Sequence, residues 1–437
     1  MTDQAGILPG ISVANESHKR LAKRHAAERR FRWYGIFALL FALAFLVFLF
    51  GSIIGKGWTA FLQTSAHLDV YFDPAIVNPS GSNPVDQDEL MRADYTKLAR
   101  TALYKVLDVN TDERKERFAA NKLLSRGVDV QLRDIVMNDP SVIGKHREVW
   151  LLAADDVDAL LKGSIDRDIP EARRGISDQQ VKWVDQMVDE GMMKKRFNTG
   201  LFVNGASSYP ETAGLGVALI GSFFMMLTVI LLAVPLAVAA AVYLEEFAPK
   251  NRLSDVIEVN INNLAAVPSI VFGLLGLAVF INFFGLPRSA PLVGGLVLSL
   301  MTLPTIIIAT RAALRAVPPS IRQGAMGVGA SKHQVILHHV LPLALPGVLT
   351  GTIIGLVQAL GETAPLLMIG MVAFVADYPT NPLEPATALP VQIYMWATAA
   401  ERGFIERTAG ATMVLLAFLI IMNSAAVYLR HKFERKW

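Results

Sequence analysis

One stretch decides the fold, and it reads RAVPPSIRQGAMGVGASKHQVILHHVLP over residues 315–342. It is basic and too polar to cross a bilayer, yet it separates two long apolar runs. Pro318 and Pro319 are expected to end the preceding helix, because proline lacks a backbone donor and clashes with the previous turn. Ser320 offers its hydroxyl as an N-cap, so the sequence predicts a short helix over Ile321–Val328.

This short helix is predicted to stop at Gly327 or Gly329, since glycine tolerates the positive φ that ends many helices. The segment 315–345 then forms a short rigid helix beside the membrane with one arm on each side. Such a body can pass motion from a soluble partner to the membrane spans. The full charges of the region are all basic, which favours the cytoplasmic side. They are Arg311, Arg315, Arg322 and Lys332.

Apolar runs extend on both sides of this stretch, and 53% of the 437 residues are hydrophobic whereas only 18% are charged. A soluble domain is typically about one quarter charged, so the composition favours a membrane protein. Six runs approach or exceed the roughly 20 residues that a spanning helix needs. They occupy 33–54, 215–243, 264–284, 291–314, 346–375 and 409–429. The predicted fold class is an all-α polytopic membrane protein with six transmembrane helices.

Basic residues flank the first and last runs and predict that both chain ends are cytoplasmic. They are Lys19, Arg20, Lys23, Arg24, Arg29, Arg30 and Arg32 on one side, and Arg430, Lys432, Arg435 and Lys436 on the other. The first cluster could instead bind nucleic acid or anionic lipid. The first run is too long for a signal-peptide core and lacks a small-residue cleavage site after it, which predicts an uncleaved anchor. The absence of cysteine excludes disulfides, thiolate metal sites and a cysteine nucleophile.

The segment between the first two runs has ordinary soluble composition and nearly balanced charge, which predicts a periplasmic α+β insertion. The predicted organisation has four parts. These are a cytoplasmic basic N-terminus over 1–32, a first transmembrane helix over 33–55, the periplasmic domain over 56–210 and a five-helix membrane domain over 211–437.

Two periodicities predict the secondary structure of this insertion. Helical spacing is followed by Leu90, Tyr95, Leu98, Ala102 and Val106. Ser177 could cap a further helix whose apolar face is formed by Val181, Val184 and Val188. A half-buried strand is predicted from the alternation of Val128, Val130 and Leu132, and a fully buried strand over Val149–Ala153.

A carboxylate interrupts the fifth apolar run, in the stretch LVQALGETAPLL over residues 356–367. A charge at such depth costs about 2.5–3.5 kcal/mol on insertion scales, so Glu362 is expected to face a watery cavity or the bundle interior. Gly361 and Pro365 bracket it, so the helix is expected to break there and to expose backbone groups towards a pathway. The alternative is a structural glutamate bonded to a neighbouring helix.

The stretch 315–342 resembles the cytoplasmic loop of ABC-importer permeases, which reads Glu-Ala-Ala, three residues, Gly, nine residues, then Ile-x-Leu-Pro. Aligning Gly329 with the family glycine places the other matching positions at Leu341, Pro342, Ala325 and Gln323. Gln323 replaces the family glutamate and lacks its charge, and Gly324 and His339 also depart from the pattern. The resemblance implies a type I ABC-importer permease fold whose loop couples the spans to a separate ATPase. ATP and Mg would then bind that partner, and this chain would hold no cofactor.

The run Leu-Gly-Glu-Thr-Ala-Pro at 360–365 resembles phosphate ABC-transporter permeases of the PstA family. The resemblance covers about 215–437 and is also carried by Leu-Pro-Thr at 303–305 and Ala-Leu-Pro-Val-Gln-Ile at 388–393. It implies an inner-membrane subunit that imports inorganic phosphate. The implied partners are a companion permease (PstC-like), an ATPase dimer (PstB-like) and a periplasmic phosphate-binding protein (PstS-like).

The predicted substrate pathway contains Glu362, Thr363, Gln358 and Arg311. An ionised carboxylate can accept a hydrogen bond from the P–OH group that phosphate keeps near neutral pH, whereas sulfate offers no such donor. Arg311 would partly balance Glu362, since its charge is essentially permanent. Some family members carry Arg where Gln358 stands, so that role would fall here to Arg311 or to the companion subunit. The alternative for Arg311 is an interfacial anchor.

Other functions remain as alternatives, and other motifs are weaker. A gradient-driven secondary transporter could use Glu362 as an ion relay. A permease for sulfate, molybdate or an organic solute, or a membrane-anchored sensor acting through the insertion, would share many features. The stretch 51–57, GSIIGKG, is one residue short of a P-loop and lacks Ser or Thr after Lys56. His338 and His339 point about 100° apart on a helix, so they cannot share one metal. No catalytic residues are predicted.

Overall fold

The computed structural model describes residues 9–82 and 86–433, in two compact units, 1–55 and 56–437. The first unit is dominated by helix α1, Pro9–Gly57, which begins well before the apolar run at 33. Four residues of 3-10 helix, Trp58–Phe61, follow it. Of the basic N-terminal segment, residues 1–8 lie outside the described residues, and so do Arg435 and Lys436 at the other end.

The inserted domain is built on a three-stranded antiparallel sheet with helices packed around it. The strands are β1 (Leu62–Tyr71), β2 (His146–Leu152) and β3 (Met193–Phe197), in the order β2-β1-β3. The helices are α2 (Pro74–Val77), α3 (Gln87–Arg92), α4 (Tyr95–Leu107), α5 (Arg114–Asn121), α6 (Val128–Asn138), α7 (Asp155–Leu161), α8 (Glu171–Arg174), α9 (Asp178–Asp189) and α10 (Gly200–Val203). The predicted α+β character is confirmed.

One strand prediction for this domain is wrong and another is right only in part. Val128, Val130 and Leu132 lie in α6, where residues 128, 132 and 136 are buried because they share one helical face. The segment Val149–Ala153 does fall largely on a strand, β2, but this is an edge strand whose first half is exposed. The central strand β1 was not predicted, although Ala66, Leu68 and Val70 alternate as strand residues do.

The helix predictions for the inserted domain are largely confirmed. Leu90 is buried in α3, and Tyr95, Leu98 and Ala102 are buried in α4. Ser177 caps α9 through a reciprocal capping box with Gln180. On that helix Val184 is fully buried, whereas Val188 is 39% exposed, so Trp183 and Met187 complete the buried face instead.

The second part of the chain is helical and apolar. Its helices are α11 (Gly216–Val242), α12 (Arg252–Ala265), α13 (Ser269–Gly276), α14 (Pro291–Ala316), α15 (Pro319–Gly327), α16 (Lys332–Val335), α17 (Leu341–Gly361), α18 (Ala364–Met368), α19 (Leu389–Ala397) and α20 (Gly403–Phe433). Three π-helical segments, Tyr243–Phe247, Leu277–Phe283 and Ile336–Val340, extend α11, α13 and α16.

Among the described residues, five helices are long and apolar enough to span a membrane, and a bent pair would make a sixth. The five are Arg24–Phe61, Gly216–Phe247, Pro291–Ala316, Lys332–Gly361 and Gly403–Lys432. The bent pair is α12 with Ser269–Phe283, which meet at 101°. Pro268 accounts for the break, since it can neither donate to the preceding turn nor let Val267 remain helical comfortably. The third predicted run, 264–284, therefore crosses a bend.

Close helix packing sets the register of α14 against α17. A methyl group at Gly351 would overlap the Cβ of Ala309, and one at Gly347 would lie 2.5 Å from the Cβ of Ala313. One turn further on, the same construction at Gly355 comes within 3.1 Å of Ile306. Small residues allow this approach, as they do in many membrane helix pairs.

The substitution Gly351→Ala should therefore destabilise the α14–α17 pair by about 1–3 kcal/mol, because overpacking forces the two backbones apart. Thermal unfolding in detergent measures this. Gly361→Ala is the matched control on the same helix, since nothing lies within 4 Å of a Cβ placed there. Equal unfolding temperatures for the two variants would contradict the packing argument.

Candidate functional site

The fifth spanning helix stops at Gly361, as predicted from the bracketing glycine and proline. Glu362 has extended backbone angles, φ −79° and ψ 124°, and α18 starts only at Ala364. A continuous helix would require an N–H from Pro365 to the carbonyl of Gly361, and proline has none. The predicted apolar run to residue 375 is thus helical only to 361, with one short helix, α18, beyond it.

Two neighbouring helices hold the chain at this break. A Cβ at Gly273 of α13 would lie 2.7 Å from the Cα of Pro365, so α13 and α18 are in direct backbone contact. Leu366 and Ile369 are buried in the same core as Val297 of α14. The break is therefore a packed and defined part of the bundle.

The polar side chains at the break have no partners in the part of the chain that the structure describes. Glu362 and Thr363 are partly buried, and their side chains make no hydrogen bond or ion pair there. Gln358, one turn earlier on α17, is exposed and equally without a partner among those residues. The alternative of a glutamate bonded to a neighbouring helix of this chain is therefore not supported.

Arg311 is not brought to Glu362. Its guanidinium pairs with Glu258 at 2.9 Å and with Glu245 at 3.3 Å. The helices α14 and α17 are antiparallel, and Gly355 of α17 lies beside Ile306 of α14. Glu362 is seven residues after Gly355 and Arg311 is five residues after Ile306, so the two lie on opposite sides of this contact. At about 1.5 Å per residue the two are roughly 18 Å apart along the helices. The expected charge balance between them is corrected accordingly, since Arg311 has two nearer carboxylates.

The predicted short helix of the decisive stretch is α15, and it begins two residues earlier than expected, at Pro319 instead of Ile321. Pro318 occupies the N-cap position and Pro319 the first helical position, where its missing donor and fixed φ are harmless. Ser320 is consequently inside the first turn and is not the N-cap. The helix ends at Gly327, and Gly329 follows with φ +90°, a left-handed conformation that glycine readily adopts.

One face of α15 is open to solvent. Gln323, Gly324 and Val328 are exposed, Val328 by 87%, while Ala325 is half-buried against the bundle. Leu341 and Pro342 begin α17. The first half of the motif therefore lies on and just after α15, and the second half lies at the start of the following spanning helix. An exposed valine at the end of a short helix is suited to a protein contact.

Sequence reasoning missed the acidic residues that hold α15 in place. Arg322 donates to Glu246 Oε1 at 2.6 Å and to the carbonyls of Val317 and Leu314 at 2.7 and 2.9 Å. A neighbouring ion pair joins Arg315 to Glu245 at 2.8 Å. The signal in the sequence is the excess of basic residues in 311–332 together with the acidic residues Glu245, Glu246 and Glu258 in the segment after the second apolar run.

Residues 233–435 match the family described as the binding-protein-dependent transport system inner membrane component. The chain is 30% identical over 237 residues to "Probable ABC transporter permease protein YqgI" of Bacillus subtilis (strain 168), covering 51% of this chain and 80% of that protein. It is 33% identical over 230 residues to "Phosphate transport system permease protein PstA 1" of Mycobacterium tuberculosis (strain CDC 1551 / Oshkosh), covering 52% and 74%.

The chain belongs to the ABC-importer permease family. The predicted resemblance to PstA proteins and the predicted permease fold class are confirmed. The structure is also similar to the inward-facing MetNI methionine ABC transporter, with 16% identity, a TM-score of 0.40, and 51% of this chain and 95% of that one covered. Residues 18–171 match a domain of unknown function (DUF3333), and the match includes most of α1 and most of the inserted domain.

In this permease the inserted domain is joined to α20 by a buried ion-pair cluster. Lys162, whose side chain is 2% exposed, lies 2.5 Å from Asp158 and 2.7 Å from Glu406 of α20. Glu211 accepts a hydrogen bond from Ser125 at 2.7 Å on the same side of the domain. Breaking one partner of such a pair leaves an uncompensated charge, so the domain is firmly attached to the last helix.

Asp155 makes this attachment sensitive to pH. The pKa of Asp155 is raised from 3.8 to about 6, mainly by burial and then by repulsion from Glu211, Asp156 and Asp158. The positive charge of Arg407 opposes this shift. A carboxyl whose folded-state pKa is raised favours folding most when it is protonated. Its contribution to stability is therefore lost as pH rises from about 4 through 6.

Asp155→Asn should raise the unfolding temperature of the permease at pH 7.5 by roughly 2–4 °C. The difference from wild type should shrink at pH 5, where wild-type Asp155 is itself neutral. Differential scanning fluorimetry at both pH values measures it, with Asp112→Asn on an exposed loop as the control. A gain that is the same at pH 5 and pH 7.5 would contradict the assignment.

Proposed function

We propose that this permease subunit translocates inorganic phosphate into the cytoplasm, driven by ATP hydrolysis on a partner. The observation that carries the proposal is the carboxylate of Glu362, which has no partner among the described residues and lies at a packed helix break inside an apolar bundle. An ionisable group at such a place is a pathway residue by default. The names of the PstA relatives support phosphate as the cargo.

The chemistry of Glu362 favours phosphate over sulfate. Its carboxylate accepts a hydrogen bond from the P–OH group of phosphate, while Gln358 and Thr363 donate to the other phosphate oxygens. Sulfate has no proton to donate at neutral pH and meets only repulsion. Because Arg311 is engaged by Glu245 and Glu258, the cation that balances the anion comes from a companion permease facing Gln358.

The proposed assembly contains a PstC-like companion permease, a PstB-like ATPase dimer and a PstS-like phosphate-binding protein. The ATPase docks on α15, where the exposed Gln323 and Gly324 form the contact together with Val328, the residue that follows the helix. ATP-driven closure then moves α15, and with it Gly329, Leu341 and α17. In this arrangement both chain ends are cytoplasmic and the inserted domain is periplasmic, in line with the basic residues around α15.

Uptake of labelled phosphate by the reconstituted four-component complex tests the proposal. Uptake should need both ATP and the binding protein, and excess sulfate or molybdate should not compete. Uptake that follows an ion gradient without ATP would instead identify a secondary transporter. Strong competition by sulfate or molybdate would reassign the cargo.

A further inference from the structure

A large cleft separates the sheet of the inserted domain from the segment that leads into α11. It has a volume of about 790 Å³. Its walls come from β2 and β3, from the start of α6, from the linker at 204–212 and from residues 376–377 of the membrane domain. The volume lies in the range of roughly 300–1,000 Å³ that is typical of small-molecule sites.

Three arginines line this cleft, which we call the arginine cleft, and none of them has a carboxylate partner among the described residues. They are Arg126, Arg133 and Arg196. The cleft also contains two carboxylates, Asp134 and Asp377, so its side chains carry a net charge of +1. Elsewhere in the same domain Arg167 pairs with Asp185 and Arg174 with Asp178.

Aromatic rings hold two of these arginines in place without using up their donors. The guanidinium of Arg126 lies 5.4 Å from the ring centre of Tyr209 and donates one hydrogen bond, of 3.0 Å, to its hydroxyl. The guanidinium of Arg196 lies 5.1 Å from the ring centre of Trp150, and the side chain makes no hydrogen bond within the described residues. A guanidinium has five donors in a planar fork that matches phosphate oxygens, so most of them stay available.

The cleft also offers an apolar surface beside the arginines. Phe197 is 62% exposed and Val130 45% exposed, and both line it. A water molecule occupies about 30 Å³ in the liquid, so inorganic phosphate, with five heavy atoms, fills on the order of 100 Å³. This is a small part of the cleft volume of about 790 Å³. The cleft is therefore suited to a larger anion that has an apolar part.

We propose that the arginine cleft binds an organic phosphate, with the phosphate group held by Arg126 and Arg196 and the organic part against Phe197 and Val130. The ligand is either a soluble phosphomonoester or the phosphodiester headgroup of an anionic phospholipid, since both present an anionic phosphate ester. This site is separate from the pathway at Glu362 and does not depend on the transported substrate.

A ligand in the arginine cleft would contact the membrane domain as well as the inserted domain. The amide of Ala206 donates to the carbonyl of Val375 at 3.0 Å, and the hydroxyl of Tyr378 donates to the carbonyl of Val203. Ala376 and Asp377, between these two links, form part of the cleft wall. Occupancy therefore bears on the loop that joins α18 to α19.

The test uses the full chain in nanodiscs of phosphatidylcholine, titrated with glycerol 3-phosphate by calorimetry. Saturable binding is expected, with a loss of roughly tenfold in affinity for each of Arg126→Gln and Arg196→Gln. Arg117→Gln, an exposed arginine outside the cleft, is the matched control and should bind like the wild type. The double variant Arg126→Lys with Arg196→Lys keeps both positive charges. If its affinity lies between those of the wild type and the glutamine variants, the weaker binding of the glutamine variants is not due to misfolding.

A second arm distinguishes the two sources of the phosphate. If a lipid headgroup is the ligand, native mass spectrometry shows phosphatidylglycerol retained by the wild type and lost from the double glutamine variant. Glycerol 3-phosphate then binds only in phosphatidylcholine. The proposal is overturned if neither probe binds, if Arg117→Gln weakens binding as much as the cleft variants, or if binding is lost in Glu362→Gln and kept in the double variant. The last result would place phosphate in the pathway and leave the proposed transport function intact.

Discussion

Replacement of Glu362 by glutamine should lower ATP-dependent phosphate uptake by roughly 10- to 100-fold. Glutamine keeps the size and one acceptor oxygen but removes the negative charge, and a hydrogen bond to a charged group is worth about 1.5–3 kcal/mol. Every 1.4 kcal/mol is tenfold. Because the side chain of Glu362 has no partner among the described residues, its removal leaves no internal bond broken.

Labelled phosphate uptake by the reconstituted complex measures this loss, with the amount of protein in the membrane checked in parallel. Glu401→Gln is the matched control, since Glu401 is an exposed acid in the connection before α20. Glu362→Asp should fall between wild type and Glu362→Gln, because it retains the charge but withdraws it by one methylene. Near-normal uptake by Glu362→Gln would remove the carboxylate from the pathway.

Arg322→Glu should uncouple the permease from the proposed ATPase partner. The side chain of Arg322 ties α15 to Glu246, Leu314 and Val317, and the two charged groups are only 22% and 9% exposed. Losing one partner of such a pair typically costs about 3–5 kcal/mol, and a glutamate here would also repel Glu246. We expect ATP hydrolysis that no longer responds to the binding protein, and loss of phosphate uptake.

The charge-swapped double variant, Arg322→Glu with Glu246→Arg, separates the ion pair from the rest of the anchor. It should recover part of the coupling, because opposite charges again face each other. Recovery stays incomplete, since glutamate cannot donate to the carbonyls of Leu314 and Val317. Arg252→Glu, an exposed arginine at the start of α12, should leave coupling unchanged. Full coupling in Arg322→Glu would show that α15 is held by other contacts.

Several features of the site were predictable because glycine and proline determine the backbone conformation of the residues next to them in the chain. The break at Glu362 follows from Gly361 and Pro365, and the end of α15 follows from Gly327 and Gly329. These effects are local, because they depend on a missing donor or on a permitted backbone angle within one turn. The family assignment rested on the same two stretches.

Predictions failed where the outcome depends on distant packing. The alternation of Val128, Val130 and Leu132 suits a strand, but the same residues also fit a helix whose buried face is 128, 132 and 136. A short apolar pattern does not distinguish the two, and the core of the inserted domain decided it. The N-cap of α15 was predicted at Ser320 but lies at Pro318. This error has a local cause, since Pro319 is well suited to the first helical position.

The sequence by itself determined that this chain is a helical membrane permease, and it determined where α17 breaks, next to the carboxylate of Glu362. Each of these properties depends on residue type and on spacing over a few turns. Only the tertiary structure decided which charges meet. The carboxylates that hold Arg311, Arg315 and Arg322 are 53 to 76 residues away along the chain, and the cleft arginines come from the turn before α6, from α6 and from β3. Such partners are chosen by the packing of helices and strands, which spacing along the chain does not record.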